Sequence, residues 1–567
     1  MKEQMTRYLI TSALPYINGI KHLGNLIGSI LPADVYAKFL RQDGKDVLYI
    51  CGTDEHGTPA EIAAAEAGKP IEQYCCEMFE VQKGIYERFG IQFDYFGRSS
   101  APSNHQLTRD IFSHLEKNGF AEEKEIRQYY SFDDKRFLPD RYVEGTCPHC
   151  GYQKARGDQC DGCGTLLDPE DLLDPYSSIS GSKNIELTTT KHIFLDLSKL
   201  EDQLKDWVSD QLQWPDVVKG IAKKWLNEGL QPRCITRDLK WGVPVPKEGY
   251  EEKVFYVWFD APNGYISMTQ DWAATTDKPD QWKEWWMADQ DVQYTEFMAK
   301  DNVPFHAIFW PAVLFAADMG FKQVNYIKGF HWLTYDKGKF STSQKRGIFT
   351  DVALDLYPAD YWRYYLLANC PETSDSDFSF SLFASVVNKD LADILGNFAN
   401  RTLSLFQKYY QGLVPLQLQP EQVDQALLQN VEAHVSELGE HLKQMKFRQA
   451  AQTLRSLWVL GNEYITTKEP WTVTKTDPTS AMISLIHCLH LLRVFAVTSY
   501  PFIPEAAAKI LTLLNDPAAD QLAQTSFAAG VDFSYFAKDH QLQAPLRLFD
   551  KIEEARAQEL TEQYSGK

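Results

Sequence analysis

The first part of the chain alternates short apolar runs with longer stretches whose apolar residues recur at helical spacing. The apolar runs are residues 8–12 and 47–51, and the helical stretches are 24–42, 59–67 and 71–89. Such alternation predicts parallel strands joined by crossover helices, which is an α/β fold with a Rossmann-like sheet. We expect the first half of this α/β domain to span residues 1–117.

Around residue 118 the sequence becomes polar and rich in tyrosine, and we expect this segment to be irregular until about residue 233. Strand-like runs resume at residues 253–259 and 307–309. The block 118–233 is therefore predicted to be an insertion that divides the sheet, and the second half of the sheet is predicted at 234–325.

From residue 381 onward the pattern is almost wholly helical. Apolar residues recur every three or four positions in 391–405, 431–445 and 483–497. Amphipathic segments with short connections predict an all-α helical bundle, which we place at residues 388–567. The segment 326–387 lies between the sheet and this bundle.

Length, charge and hydropathy narrow the class of protein. A chain of 567 residues is too long for one core, and its 44% hydrophobic content is typical of folded globular proteins. We find no apolar run of about 18 residues and no secretory signal, so we expect a cytoplasmic protein without a membrane partner. A net charge of −20 excludes coating of nucleic acid by bulk charge, but it permits a specific RNA partner.

Four of the ten cysteines form two C-x-x-C pairs separated by nine residues: Cys147, Cys150, Cys160 and Cys163. Each pair is followed by a glycine, which permits the tight turns that let four thiolates converge on one ion. We predict one structural Zn²⁺ per chain, because four protein ligands leave no position for a catalytic water. A redox dithiol and unligated thiols are the alternatives. The other six cysteines are scattered and are expected to be buried thiols in a reducing compartment.

Two distant segments have the chemistry of a nucleotide site. His22, Gly24 and Asn25 fall at a predicted strand-to-helix turn, where backbone N–H groups and the helix dipole favour phosphate. Far downstream, Lys339 lies among small hydroxyl residues in a glycine-containing loop with Lys345 and Arg346. Taken alone, the first segment is also consistent with an ordinary turn, and the second with a solvated charged loop.

Together the two segments resemble the HIGH and KMSKS signatures of class I aminoacyl-tRNA synthetases, and the words around them resemble methionyl-tRNA synthetases in particular. The resemblance covers most of residues 7–475. The chain departs from the signatures in two places, because Asn25 replaces the second His and Thr342 replaces the second Lys. Lys345 and Arg346 are candidates for the missing charge, within a segment 326–387 that the resemblance implies is the loop and stem-contact region.

The resemblance also implies a methionine pocket. The word C-G-T-D-E-H-G contains Asp54, which would hold the substrate ammonium, although an acidic residue before a helix is otherwise often only a cap. Arg237 would pair with the substrate carboxylate, as suits a bidentate guanidinium. The remaining residues implied for methionine binding are Leu14, Tyr16, Trp258, Tyr265, Phe305 and His306. Aromatic side chains suit a polarizable thioether.

The implied activity is that of a methionine–tRNA ligase using L-methionine, ATP with Mg²⁺, and tRNA(Met). The residues implied for catalysis are His22, Asn25, Lys339, Thr342, Lys345 and Arg346, and those implied for ATP binding are Tyr16, His22, Gly24, Asn25 and Lys339. In the bundle, Asn397 and Arg401 are four residues apart, hence on one helical face, and with Trp471 they would read the anticodon. We expect a monomer. The alternatives are another class I synthetase for an apolar amino acid and an inactive paralogue that binds tRNA.

Overall fold

The computed structural model describes residues 6–139, 142–157, 160, 163, 165, 167–338, 340 and 346–565. Its centre is a sheet of five parallel strands. In spatial order the strands are Tyr326–Phe330, Val292–Ala299, Arg7–Ser12, Asp46–Thr53 and Tyr95–Arg98. Both faces are covered by helices, so the strands are largely buried, as parallel sheets require. The prediction of a Rossmann-like α/β sheet is confirmed.

The helices of the sheet domain follow the predicted periodicity closely in the first half of the chain. The chain is helical from Leu23 to Gln42, with a π-helical segment at Leu26–Ile30 and a nearly fully buried α-helix at Leu31–Gln42. The other α-helices here are Thr58–Glu66, Ile71–Arg88, Pro102–Lys117, Val257–Asp260, Gly264–Ala274, Lys283–Trp286 and Trp310–Ala317.

The two segments predicted as strands for the second half of the sheet do not belong to the central sheet. Within 253–259 the strand is Val254–Phe255, outside the central sheet, and residues 305–309 form the π-helix Phe305–Phe309. The actual central strand is Val292–Ala299, in which Glu296 and other polar residues interrupt the apolar pattern. A short apolar run is compatible with a strand or a buried helix, so periodicity alone did not separate the two.

The inserted block is more regular than expected. Strands Ala121–Ser131 and Ile185–Leu195 pair antiparallel over eleven positions, from Ala121↔Leu195 to Ser131↔Ile185. The first strand carries mostly polar residues and is half-exposed, which concealed it from an apolar pattern. Short strands and helices complete the block: Arg136–Phe137, Val143–Thr146, Ala155–Arg156, Pro169–Asp171, Leu173–Ser177, Leu197–Leu200, Glu201–Ser209, Asp216–Asn227 and Arg233–Cys234.

The C-terminal part is the predicted all-α bundle. Its main helices are Val387–Gly396, Asn397–Tyr410, Gln425–Lys443, Phe447–Lys468, Pro470–Val473, Pro478–Ser499, Pro504–Leu513 and Glu554–Gln563. Before it come strands Leu333–Tyr335 and Ser376–Phe378 and helices Thr350–Leu356, Ala359–Ala368 and Phe380–Val386. The domain boundaries themselves stay predictions.

The sequence was expected to contain no apolar run of about 18 residues, and one helix of the bundle corrects this expectation. Pro478–Ser499 is long and apolar enough to cross a membrane, with a mean hydropathy of 1.7 over its best window. However, 89% of that window is buried inside the protein. A helix that is apolar all round and enclosed by other helices is typical of a protein core.

A buried ionic network joins the sheet domain to the bundle. The guanidinium of Arg363 donates to Asp34 Oδ2 at 2.7 Å and to the carbonyl of Phe502 at 3.0 Å. Lys38 contacts the other oxygen of Asp34, and all three side chains are fully buried. Burial raises the pKa of Asp34, but the charges of Lys38 and Arg363 outweigh burial and hold that pKa below its ordinary value.

Candidate active site

A cavity of about 440 Å³ lies at the carboxyl ends of the central strands. It begins where strand Arg7–Ser12 passes into Ala13 and where strand Asp46–Thr53 passes into Asp54. This is the edge at which open parallel sheets place their ligands. Among the predicted site residues, those that line the cavity are Leu14, Tyr16, His22, Gly24, Asn25, Asp54, Trp258, Tyr265 and His306.

The corner containing His22 is built by a reciprocal cap at the start of the first helix. The N–H of Asn25 donates to His22 Nδ1 at 3.3 Å, and the N–H of His22 donates to Asn25 Oδ1 at 3.2 Å. A Cβ at Gly24 would lie 2.9 Å from atoms of the His22 ring, so glycine is required for this approach. The ring stacks on Phe340 with centroids 4.5 Å apart.

The protonation of His22 follows from this geometry. Burial, together with the smaller effect of the neighbouring Lys21 ammonium, lowers the pKa of His22 to about 4. The ring is therefore neutral at pH 7, and because Nδ1 accepts a hydrogen bond, the proton is on Nε2. His22 can thus donate one hydrogen bond from Nε2 to a phosphate oxygen without carrying a positive charge.

Asp54 is the buried carboxyl group of the cavity. Its Oδ1 is buried and accepts no hydrogen bond within the described part of the chain. Burial raises the pKa of Asp54 well above its ordinary value, the charges of Asp260 and Glu55 add to this, and Lys21 acts in the opposite direction. Lys21 was not among the predicted site residues, although it lies next to His22 and lines the cavity. Its burial lowers its pKa to about 8, while Asp54 raises it.

The apolar side of the cavity is aromatic. Trp258 and Tyr265 line it, and Phe305 stacks on Trp258 with ring centroids 3.6 Å apart and an interplanar angle of 8°. Phe305 itself is not part of the lining, so it supports the wall from behind. His306 faces the cavity while its Nδ1 lies 2.8 Å from Glu296 Oε2, which fixes the orientation of the ring.

Arg237 is a predicted site residue that the structure does not bring to the cavity. Its Nη1 donates to the carbonyl oxygens of Thr236 at 2.9 Å and Cys234 at 3.2 Å. Its guanidinium lies 4.0 Å from the centroid of the Tyr256 ring. A role in binding the substrate carboxylate would require this side chain to reorient, and it stays a prediction.

The downstream loop is only partly within the described residues. Lys339, Thr342 and Lys345 lie outside them, so their predicted roles are untested. Arg346 is described, and its guanidinium donates to the carbonyl oxygens of Tyr335 at 2.9 Å and Ser565 at 3.2 Å. Arg346 therefore anchors the base of the loop, and it does not line the cavity.

The four clustered cysteines meet as their spacing predicted. All four Sγ atoms lie within 4.8 Å of one another, with Cys147–Cys163 at 3.9 Å and Cys150–Cys160 at 3.6 Å. Four sulfurs at a Zn–S distance of about 2.3 Å would be about 3.8 Å apart in a tetrahedron. The described cluster therefore fits one tetrahedrally coordinated metal ion.

Comparisons with known proteins agree with this geometry. Residues 8–403 match the family model for class I tRNA synthetases (M), and residues 414–567 match the anticodon binding domain of methionyl tRNA ligase. The chain belongs to the methionyl-tRNA synthetase family. It is 51% identical over 560 residues to methionine–tRNA ligase 1 of Acaryochloris marina, covering 99% of this chain and 100% of that protein. It is 49% identical over 580 residues to the methionine–tRNA ligase of Streptomyces avermitilis, with the same coverage.

Solved structures of the family show the same fold. The chain is similar to Mycobacterium tuberculosis methionyl-tRNA synthetase in complex with methionyl-adenylate, with a TM-score of 0.76 and 26% identity. That match covers 96% of this chain and 100% of the solved one. The free form of the same enzyme matches with a TM-score of 0.69.

A second candidate site of this family member lies in the helical bundle. Asn397 is exposed at the start of its helix, and Arg401 follows one turn later. The guanidinium of Arg401 lies 5.1 Å from the centroid of the half-buried Trp471 ring. The structure therefore brings Arg401 and Trp471 together at the surface, although their contact with an anticodon stays a prediction.

Proposed function

We propose that this member of the methionyl-tRNA synthetase family is an active ATP-dependent methionine–tRNA ligase. The observation that carries the proposal is one cavity with three features: a buried carboxylate at Asp54 whose Oδ1 has no hydrogen-bond partner among the described residues, an aromatic wall at Trp258 and Tyr265, and a capped helix start at His22. These three features suit an ammonium, a thioether and a phosphate respectively.

In the proposed reaction, a methionine carboxylate oxygen attacks the α-phosphorus of ATP, and the bond to the β-phosphate oxygen breaks to release pyrophosphate. The terminal ribose hydroxyl of tRNA(Met) then attacks the methionyl carbonyl, and AMP leaves. No protein nucleophile is required, so this chain contributes positioning and charge stabilisation. Asp54 holds the ammonium, and His22 Nε2–H donates to phosphate. Tyr16, Gly24 and Asn25 line the part of the cavity beside His22 that would bind the nucleotide. Lys339 and Lys345 would add positive charge near the phosphates.

Two metal ions belong to the proposal. Cys147, Cys150, Cys160 and Cys163 would hold one structural Zn²⁺, since four thiolates at tetrahedral spacing suit zinc and leave no open position. Mg²⁺ would accompany ATP and offset phosphate charge. We further propose that the protein acts as a cytoplasmic monomer and reads tRNA(Met) through Asn397, Arg401 and Trp471.

Exchange of labelled pyrophosphate into ATP tests the activation step. Methionine should support exchange by the purified protein, and other apolar amino acids should do so far less well. Exchange with leucine, isoleucine or valine instead would identify another class I synthetase. Absence of exchange with every amino acid, in a protein that still binds tRNA, would identify an inactive paralogue.

A further inference from the structure

Behind the carboxylate of Asp54 is a second buried carboxylate, Asp260. It ends the short helix Val257–Asp260, is fully buried, and does not line the cavity. Oδ1 of each residue is buried and accepts no hydrogen bond among the described residues. Two anions in a dry region repel each other, so the arrangement requires a compensating cation if Asp54 is to remain ionised.

His56 is placed to be that cation. Its ring is buried, and Nδ1 contacts Asp260 Oδ2 directly. Its Nε2 lies 3.4 Å from Nε2 of His105. Nδ1 faces a carboxylate oxygen and so carries a hydrogen, while one hydrogen is shared between the two Nε2 atoms. When His105 accepts that hydrogen bond, His56 donates from both nitrogens and is an imidazolium.

The state of His105 permits this arrangement. Burial, together with the smaller effects of His56 and Arg109, lowers the pKa of His105 to about 4. His105 is therefore neutral at pH 7 and can accept a hydrogen bond at Nε2. Its side chain is half-exposed, so the line of groups from Asp260 through His56 reaches the surface at His105.

The other charges around this line have partners of their own. Glu55 forms a salt bridge with Arg98 at 2.8 Å and accepts a hydrogen bond from Thr53 at 2.7 Å. Lys21 faces Asp54 from the cavity side. Trp241 covers the His56 ring edge-on, with centroids 5.6 Å apart, which excludes solvent. Burial raises the pKa of Asp260, and within the described part of the chain the ionisable side chain that acts against this rise is His56.

We propose that His56 is a positioning residue for methionine: its imidazolium neutralises Asp260 and so leaves Asp54 as the ionised carboxylate that receives the substrate ammonium. This inference rests on the proposed function. It accounts for a histidine beside the ammonium site that does not line the cavity. With methionine bound, each buried carboxylate has one cation.

The test replaces His56 with Gln in the full chain and measures methionine-dependent pyrophosphate exchange between pH 5 and 9. Ammonium binding needs ionised Asp54 and is lost as the pH falls through the pKa of that carboxyl. An uncompensated Asp260 raises that pKa, so the loss should begin at a higher pH in His56→Gln. At neutral pH the KM for methionine should rise at least about tenfold, while the KM for ATP stays within about twofold.

Rescue separates this role from a general loss of packing. Adding Asp260→Asn to His56→Gln removes the unpaired charge and should return the KM for methionine to within about threefold of the parent. As a control, Arg493→Gln breaks the buried Arg493–Asp516 pair in the bundle and should leave the KM for methionine unchanged. If His56→Gln does not fold, Asp260→Asn alone should move the acid loss of methionine binding to lower pH.

Parental methionine KM and pH dependence in folded His56→Gln would overturn the inference, as would failure of the folded double variant to recover. The inference would also be overturned if Asp260→Asn lost methionine binding at the same acidic pH as the parent. Absence of methionine-dependent exchange in the parent chain would instead overturn the proposed function, so the two failures are distinguishable.

Discussion

Recognition of the amino acid depends, at the residue scale, on a carboxylate that the fold buries before any substrate arrives. Among the described residues, none donates a hydrogen bond to the buried Oδ1 of Asp54, and burial raises the pKa of this carboxyl group. An ammonium that enters the cavity supplies the missing charge and hydrogen bond at once. The sequence motif containing Asp54 indicated this residue and also contains His56, but it did not reveal the contact of His56 with Asp260, because that contact joins positions about two hundred residues apart.

Asp54→Asn should therefore impair methionine binding with little change in packing. Loss of a charged hydrogen bond costs about 1.5–3 kcal/mol, which corresponds to an increase of roughly 10- to 150-fold in the KM for methionine. Steady-state pyrophosphate exchange measures this, with the KM for ATP as the internal control. A methionine KM and kcat both within about twofold of the parent would show that Asp54 does not hold the ammonium.

Among the elements, the cysteine knuckle is the feature that sequence spacing predicted most completely. Two C-x-x-C turns brought four sulfurs together, because the ligands are local in sequence and the turns set their geometry. The strand Val292–Ala299 and the long ribbon of the insertion were missed, since polar residues interrupt their apolar patterns. Local rules thus predicted the strands Arg7–Ser12 and Asp46–Thr53 and the bundle helices. They missed the strand Tyr95–Arg98, and long-range pairing determined the rest of the sheet.

Replacing Cys150 and Cys163 together by Ser should abolish metal binding. Both side chains are exposed, so loss of packing should be small and loss of the ion should dominate. Elemental analysis should find one zinc per parent chain and almost none in the variant, and the thermal midpoint should fall because metal binding contributes to folding. Cys76, which was predicted to be buried, is exposed outside the cluster, and Cys76→Ser should retain its zinc. Unchanged zinc content and stability in the double variant would contradict the site.

Across the whole molecule, the buried Asp34–Lys38–Arg363 network holds the sheet domain against the bundle. Arg363→Met would leave Asp34 short of one cation and several carbonyls without a donor. Breaking such a network typically costs about 3–5 kcal/mol of unfolding free energy, measurable by denaturant titration. Arg556→Met, which removes an exposed pair with Glu559, is the control and should change stability little. A similarly small loss of unfolding free energy in both variants would show that the network does not stabilise the contact between the sheet domain and the bundle.

The same network predicts a pH dependence of stability. Because the folded-state pKa of Asp34 lies below its ordinary value, the network contributes fully above the unfolded-state pKa, near pH 4. Its contribution is lost as the pH falls through the folded-state pKa. Acid titration of the parent should show this loss, and Arg363→Met should show less of it. Identical acid dependence of unfolding free energy in both proteins would contradict the assignment.

The bundle is the part of the molecule expected to read RNA, at a distance from the cavity. Trp471→Ala should leave pyrophosphate exchange intact and lower kcat/KM for tRNA at least about fivefold, since stacking on a base contributes about 1–3 kcal/mol. The loss should shrink on a tRNA with an altered anticodon, as a double-mutant cycle would measure. Leu546→Ala, at an exposed apolar residue of the same region, is the control. Equal losses on both tRNAs, or impaired exchange without tRNA, would make Trp471 a packing residue.

Transfer of radiolabelled methionine to purified tRNA(Met) by the full protein is the most direct measurement of whether this chain joins methionine to tRNA. The account predicts ATP-dependent formation of methionyl-tRNA, with charging that approaches one methionine per accepting tRNA. It also predicts no charging of a tRNA of different specificity under the same conditions. Failure to charge tRNA(Met), or preferential charging with another amino acid, would contradict the account.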